Sequence, residues 1–128
     1  MDMVRRVMSH FRQMADDGAG VLLITHDLEQ ALEVADRVVV FYAGTTVEDA
    51  DVKDFEKEET LRHPYSKALW RALPQNGFQF IDGVQPYVKD LPEGCPFGPR
   101  CEKCTEECKG KIAYREVRDG RVRCIHAV

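Results

Sequence analysis

No cysteine precedes residue 95, and all five fall within the last 34 residues. Thiols crowded into one stretch, behind an N-terminus (MDMVRR) that lacks the apolar core of a secretory signal, point to a cytoplasmic protein. Its cysteines are then metal ligands or free thiols rather than a disulfide framework. No apolar run approaches the roughly 18 residues that cross a bilayer, so no membrane-spanning helix is expected. Nor is there a basic excess: 18 Lys and Arg stand against 22 Asp and Glu, a net charge of -4, which removes the electrostatic footprint of nucleic-acid binding. No G-x-x-x-x-G-K-[ST] occurs, so nothing in the sequence is built to cradle nucleotide phosphates. What is present is 128 residues, 44% hydrophobic and 31% charged, the make-up of one globular domain or of a piece of a larger one.

The most ordered signal is Val21-Leu22-Leu23-Ile24-Thr25, an unalternating apolar and β-branched run that predicts a strand buried on both faces. It ends at His26-Asp27, which places an imidazole at the carboxyl end of a buried strand, where open α/β sheets keep their ligand chemistry. A strand followed by an ordinary helix-capping His-Asp pair is the plainer alternative. Upstream, Val4, Val7, Met8, Phe11 and Met14 recur at helical spacing and predict a helix over residues 3–15, closed by the glycine-bearing turn 16–20. Downstream, Asp27 fits an N-cap for a helix carrying Leu28, Ala31, Leu32 and Ala35 inward. Residues 37–42 read as a strand, Ala43-Gly44 as a turn and residues 45–48 as a short third strand.

THDLEQALEVADRVVVFYAG followed by TTVE resembles the end of the nucleotide-binding subunit of an ABC transporter, over residues 1–48. The resemblance implies an α/β fold: the C-terminal piece of a P-loop ABC ATPase domain, with a short parallel or mixed sheet and helices. It also implies that His26 is the switch histidine, catalytic and in contact with the γ-phosphate of ATP/Mg, and that Asp2 is the last residue of the family's D-loop on the nucleotide side. An imidazole suits that task because one nitrogen donates while the other is oriented by a neighbour. Phosphoryl transfer depends mostly on such positioning. The Walker A, signature and Walker B motifs are missing, so the chain is expected to be inactive alone. The strand over 21–25 would then have an unpaired edge, which predicts self-association.

Residues 49–59 carry Asp49, Asp51, Asp54, Glu56, Glu58 and Glu59 against Lys53 and Lys57, and read as a solvated linker or an exposed helix face. HPYSKALWRALP predicts a helix started by Pro64, with Tyr65, Ala68, Leu69 and Ala72 on its apolar side and Pro74 ending it. His63 reads as part of that helix start, and His10 as structural. Residues 75–93 read as a loop with short strands. HPYSKAL, IDGVQP and LPEGCPFGPRCEKCTEECKG together resemble the C-terminal extension of the oligopeptide, dipeptide and nickel importer ATPases over residues 60–126. Gly94-Cys95, Phe97, Arg100-Cys101, Cys108 and Cys124 follow that subfamily's pattern in order.

That pattern implies a metal centre on Cys95, Cys101, Cys108 and Cys124, which in some members of the family is a [4Fe–4S] cluster. Soft thiolates select iron–sulfur clusters or zinc. Cys104 departs from the pattern, and Cys101-x-x-Cys104 with Cys108 and either Cys95 or His126 fits a tetrahedral zinc site as well. Free or partly oxidised thiols are the third reading, and His126 otherwise reads as a surface residue.

Three regions result: 1–49, the end of the nucleotide-binding domain; 50–74, the acidic linker and helix; and 75–128, the cysteine-rich extension. The implied partners are transmembrane permease subunits, a second ATP-binding subunit and, indirectly, a solute-binding protein. The implied location is the cytoplasmic face of the plasma membrane. The alternative function is a non-catalytic metal-binding module, regulatory or structural.

Overall fold

The structure, a computed structural model, describes residues 3–79, 94–101, 103–110 and 112–127. Three helices and four strands follow in chain order: α1 (Met3–Asp16), α2 (Leu28–Val34), β1 (Arg37–Tyr42), β2 (Thr45–Asp51), α3 (Pro64–Ala72), β3 (Arg115–Val117) and β4 (Gly120–Val122). Among the described residues no helix is long and apolar enough to cross a membrane. The segment IDGVQP, residues 80–93 of the loop expected over 75–93, and Asp2 lie outside the described residues.

The strands form one sheet in the order β1-β2-β4-β3, and every pairing is antiparallel. This corrects the parallel or mixed sheet expected from the sequence. The run 21–25 was to supply the parallel element, yet no strand forms there, and Leu22 and Ile24 are 87% and 86% exposed. An unalternating apolar run becomes a strand only where neighbouring strands take up its backbone groups and layers cover both faces. The described residues supply neither, so the run forms no strand and leaves Leu22 and Ile24 bare.

Around it the local signals hold. Asp27 caps α2, its carboxylate accepting from Gln30 N at 3.2 Å. Arg12 ties α1 to the end of α2, donating from Nη1 to Val34 O and to Asp36 at 3.0 Å each.

β1 alternates. Val40 and Tyr42 are buried, whereas Arg37, Val39 and Phe41 face out. β2 is one of the two interior strands, with Val47, Glu48 and Ala50 fully buried between β1 and β4. The core comprises Val40, Tyr42, Ala43, Val47, Ala50, Phe55, Leu61 and Phe97, against which Leu28, Leu32, Tyr65, Leu69 and Trp70 pack. The acidic stretch is more ordered than the expected linker. It finishes β2, then forms two 3-10 turns (Val52–Glu56 and Glu58–Thr60) whose Phe55 is buried under α3 by the Trp70 Nε1 bond to its carbonyl, 3.0 Å. Three of its carboxylates form ion pairs: Asp49 with Arg37 at 2.9 Å, Asp54 with Arg62 at 2.8 Å, and Glu58 with Arg71.

One buried ion pair joins the parts. Glu48, fully buried on β2, accepts from the backbone N–H groups of Arg62 (3.1 Å) and His63 (2.7 Å) and from Arg62 Nη1 (3.2 Å). Arg62 reaches onward to the β3–β4 turn, donating from Nε to Val117 O and from Nη2 to Arg118 O (2.7 Å). Gly120 makes room for it, because a Cβ there would sit 2.5 Å from the guanidinium carbon. Removing Glu48 leaves the buried Arg62 with only the partly exposed Asp54 as counter-charge, and two buried backbone N–H groups without their acceptor. Glu48→Ala is therefore expected to lower the unfolding free energy by about 3–5 kcal/mol, measured by urea denaturation. A change within about 0.5 kcal/mol, the range of ordinary surface substitutions, would contradict this account.

Candidate functional site

The cysteine loop is folded by short-range turns rather than by regular elements. Gly98–Arg100 and Glu106–Lys109 are 3-10 turns, and Cys101 N donates to Gly98 O at 3.1 Å and Cys108 N to Thr105 O at 3.0 Å. Gly94 is required twice over. Its φ is 82°, and a Cβ would lie 2.2 Å from Cys108 O. That close approach lets Cys95 N donate to Cys108 O at 2.9 Å, bringing the two ends of the loop together.

Phe97 docks the loop on the sheet. Its buried ring meets Tyr42 edge-on at 5.2 Å, Tyr65 at 5.2 Å and His63 at 6.0 Å, and Arg100 lies over the Tyr42 ring while donating to Tyr42 Oη at 3.2 Å. The C-terminal segment returns to the same place. Arg123 N donates to Val47 O at 2.8 Å and its guanidinium to Thr46 O and Ile112 O, and Arg115 donates to Cys124 O.

The result is one small cavity, about 10 Å³, lined by Cys95, Cys101, Cys104, Cys108 and Cys124 together with His63 and His126. All five cysteines are free; Cys108 and Cys124 are buried, Cys95 and Cys101 partly so, and Cys104 is exposed. Burial first, then repulsion from neighbouring sulfurs, pushes the thiols of Cys95 and Cys101 up, and slight desolvation together with the neighbouring Cys108 raises that of the exposed Cys104. These shifts favour the neutral form of those three thiols, whereas a bound cation would reverse that logic.

His63 is fully buried, and its Nδ1 caps α3 by accepting from Tyr65 N at 3.0 Å; its Nε2 has no partner. His126, by contrast, has its Nε2 2.9 Å from Thr105 Oγ1. Five thiols, the soft donors that select zinc or iron–sulfur clusters, line one cavity beside a buried imidazole nitrogen that has no partner. The arrangement is open, since among the described residues no three Cys, His, Asp or Glu side chains converge closely enough to hold an ion.

Comparison with known proteins bears on residues 47–108, which match the family model described as the oligopeptide/dipeptide transporter, C-terminal region. The chain belongs to the oligopeptide/dipeptide transporter family. It is 42% identical over 94 residues to the dipeptide transport ATP-binding protein DppD of Haemophilus influenzae, covering 70% of this chain and 28% of that one. The oligopeptide transport ATP-binding protein OppD of Mycobacterium tuberculosis is 43% identical over 97 residues, 71% of this chain and 16% of that one. AppD of Bacillus subtilis, also an oligopeptide transport ATP-binding protein, is 42% identical over 93 residues, 69% and 28%. The chain thus spans about a third or less of the length of these relatives.

The family's matched region runs from β2 through the cysteine loop, so it holds Glu48, Arg62, His63 and four of the cysteines. The structure brings Cys95, Cys101, Cys108 and Cys124 to the same cavity, with Cys104 beside them. His26 lies apart, exposed at a bend directly before the Asp27 cap of α2 and not at the end of a buried strand. Glu48 and Arg62 were missed as determinants of the site. Glu48 sits among ordinary strand residues, and nothing local marks it as buried. His63 was legible only as a helix cap.

Burial pushes His63 down to about 4 from 6.5. A basic group depressed in the folded state is neutral there while the unfolded chain takes up a proton. Stability is therefore full above pH 6.5 and falls as the pH drops from 6.5 to 4. The expected loss for metal-free protein is about 3 kcal/mol. His63→Asn should remove that part of the slope, read as the difference between wild-type and variant urea curves across this window. Parallel curves for the two proteins would overturn the assignment.

Proposed function

We propose that the chain is the C-terminal part of the ATP-binding subunit of a peptide importer, and that its cysteine cavity is a metal–thiolate centre holding the extension against the sheet. The observation that carries the second half is the shared cavity of all five cysteines, with a buried imidazole nitrogen left over. The first half is supported by similarity to transport ATP-binding proteins of dipeptides and oligopeptides. In this reading residues 1–49 end the nucleotide-binding domain, 50–74 connect it, and 75–128 form the extension. His26, exposed on the segment before α2, meets the γ-phosphate once the nucleotide-gripping part of the subunit is present, and Asp2 would serve as the last residue of the D-loop. The chain by itself neither grips ATP/Mg nor turns it over. Permease subunits and a second ATP-binding subunit at the inner face of the plasma membrane complete the machine, a solute-binding protein delivers the cargo, and the bare run 21–25 favours self-association of the isolated chain.

At the cavity, Cys95, Cys101, Cys108 and Cys124 would hold a [4Fe–4S] cluster, which when bound supplies cross-linking and one-electron chemistry. Zinc held with Cys104 in the set is the second reading, favoured by a cavity of about 10 Å³, close to the space of one water. In either case the chain's own contribution is to orient thiols through the Gly94 approach, the Phe97 wedge and the Arg115 and Arg123 clamps, and to exclude water from two of the five sulfurs.

Protein purified without air is expected to contain either iron with matching sulfide or zinc near one per chain. Metal-free protein with five readily titrated thiols would overturn the centre. In the complete subunit, His26→Ala should lower ATPase turnover by about a hundredfold or more, the usual loss of one transition-state donor. Unchanged turnover would remove His26 from the mechanism.

A further inference from the structure

Two thiols of the cysteine cavity are in contact with each other. Cys104 is the exposed cysteine and Cys108, four residues on, is buried. Their side chains are hydrogen-bonded to one another. Thr105 steadies both sulfurs: Cys104 Sγ donates to its carbonyl at 3.8 Å, and Cys108 Sγ lies 3.9 Å from its hydroxyl. The backbone beneath them is fixed as well. Cys104 N donates to Cys101 O at 3.3 Å, Cys108 N to Thr105 O at 3.0 Å, and Cys108 O accepts from Cys95 N at 2.9 Å. Cys104 is also the cysteine that departs from the ordered pattern of the other four. A sulfur held against another acts at an effective concentration above the millimolar range of a short flexible tether.

We infer that Cys104 and Cys108 are a reversible oxidation site, joined as a disulfide by exchange with a small-molecule disulfide of the glutathione class. The exposed Cys104 sulfur attacks one sulfur of that reagent, forms a mixed disulfide and releases one small thiol. The Cys108 sulfur then attacks the Cys104 sulfur, the Cys104–Cys108 bond forms, and the second small thiol leaves. The protons of the two protein thiols end on the two departing thiols, and the two electrons taken from the pair reduce the reagent. Neither step requires a metal in the cavity. The linked form takes two of the five thiols out of the cavity lining, and reduction returns them. Exposed disulfides are the labile, regulatory kind, which suits a bond that Cys104 keeps open to solvent.

The test uses the whole wild-type chain, reduced and stripped of metal with a chelator. It is equilibrated without air in glutathione buffer with the oxidised form in excess, then quenched and alkylated. Trypsin releases Cys104–Lys109 as one peptide holding these two cysteines and no other, because Lys103 and Lys109 bound it. That peptide is expected to emerge unalkylated and two hydrogens lighter than its reduced form. At roughly 1 mM reduced glutathione the linked form should exceed the Cys104 mixed disulfide by about tenfold or more. In concentrated urea that ratio should fall severalfold, because the unfolded chain no longer holds the sulfurs together. Two alkyl groups on the peptide, or a mixed disulfide without the closed form, would overturn the inference. So would a bond from either cysteine to another peptide, or the same ratio in urea.

Discussion

The Glu48–Arg62 pair is the constraint on which the rest of the structure depends. A carboxylate and a guanidinium taken wholly out of water are unfavourable unless nearly every lone pair and proton finds a partner. Here they do: Glu48 accepts from two backbone N–H groups and the guanidinium, and Arg62 also binds Asp54 and two carbonyls of the β3–β4 turn. Such pairs add little net stability over a well-packed apolar substitute, but they tolerate few alternative arrangements. Three segments distant in sequence, around residues 48, 62 and 118, are thereby held in one relative position.

That position decides the chemistry of the cysteine cavity. The same carboxylate that balances Arg62 anchors the backbone of His63, and His63 caps α3 through Nδ1 while lining the cysteine cavity. The aromatic group of Tyr42, Tyr65 and Phe97 then seats the cysteine loop over this turn. The loop is poor in regular structure, and its shape comes from glycine turns and from docking. Among the described residues the thiols line one cavity without converging closely enough to hold an ion.

The N-terminal part behaves differently. Leu22 and Ile24 lie bare, and β1 ends the sheet with Val39 and Phe41 facing out. Apolar surface of this kind is what a larger sheet and its covering helices bury, and the relatives' much greater length leaves room for both.

Periodicity and punctuation by themselves determined α1, the Asp27 cap, the β1–β2 hairpin and α3 between Pro64 and Pro74, because each depends on neighbours a few residues away. The ordered cysteines likewise marked the extension and its family before any geometry. Only tertiary structure decided that residues 21–25 form no strand, that the sheet is antiparallel, that the acidic stretch is ordered around Phe55, and that Glu48 lies at the centre. Pairing partners, burial and charge compensation are properties of segments brought together from far along the chain, and no local pattern of residues encodes which of them will meet.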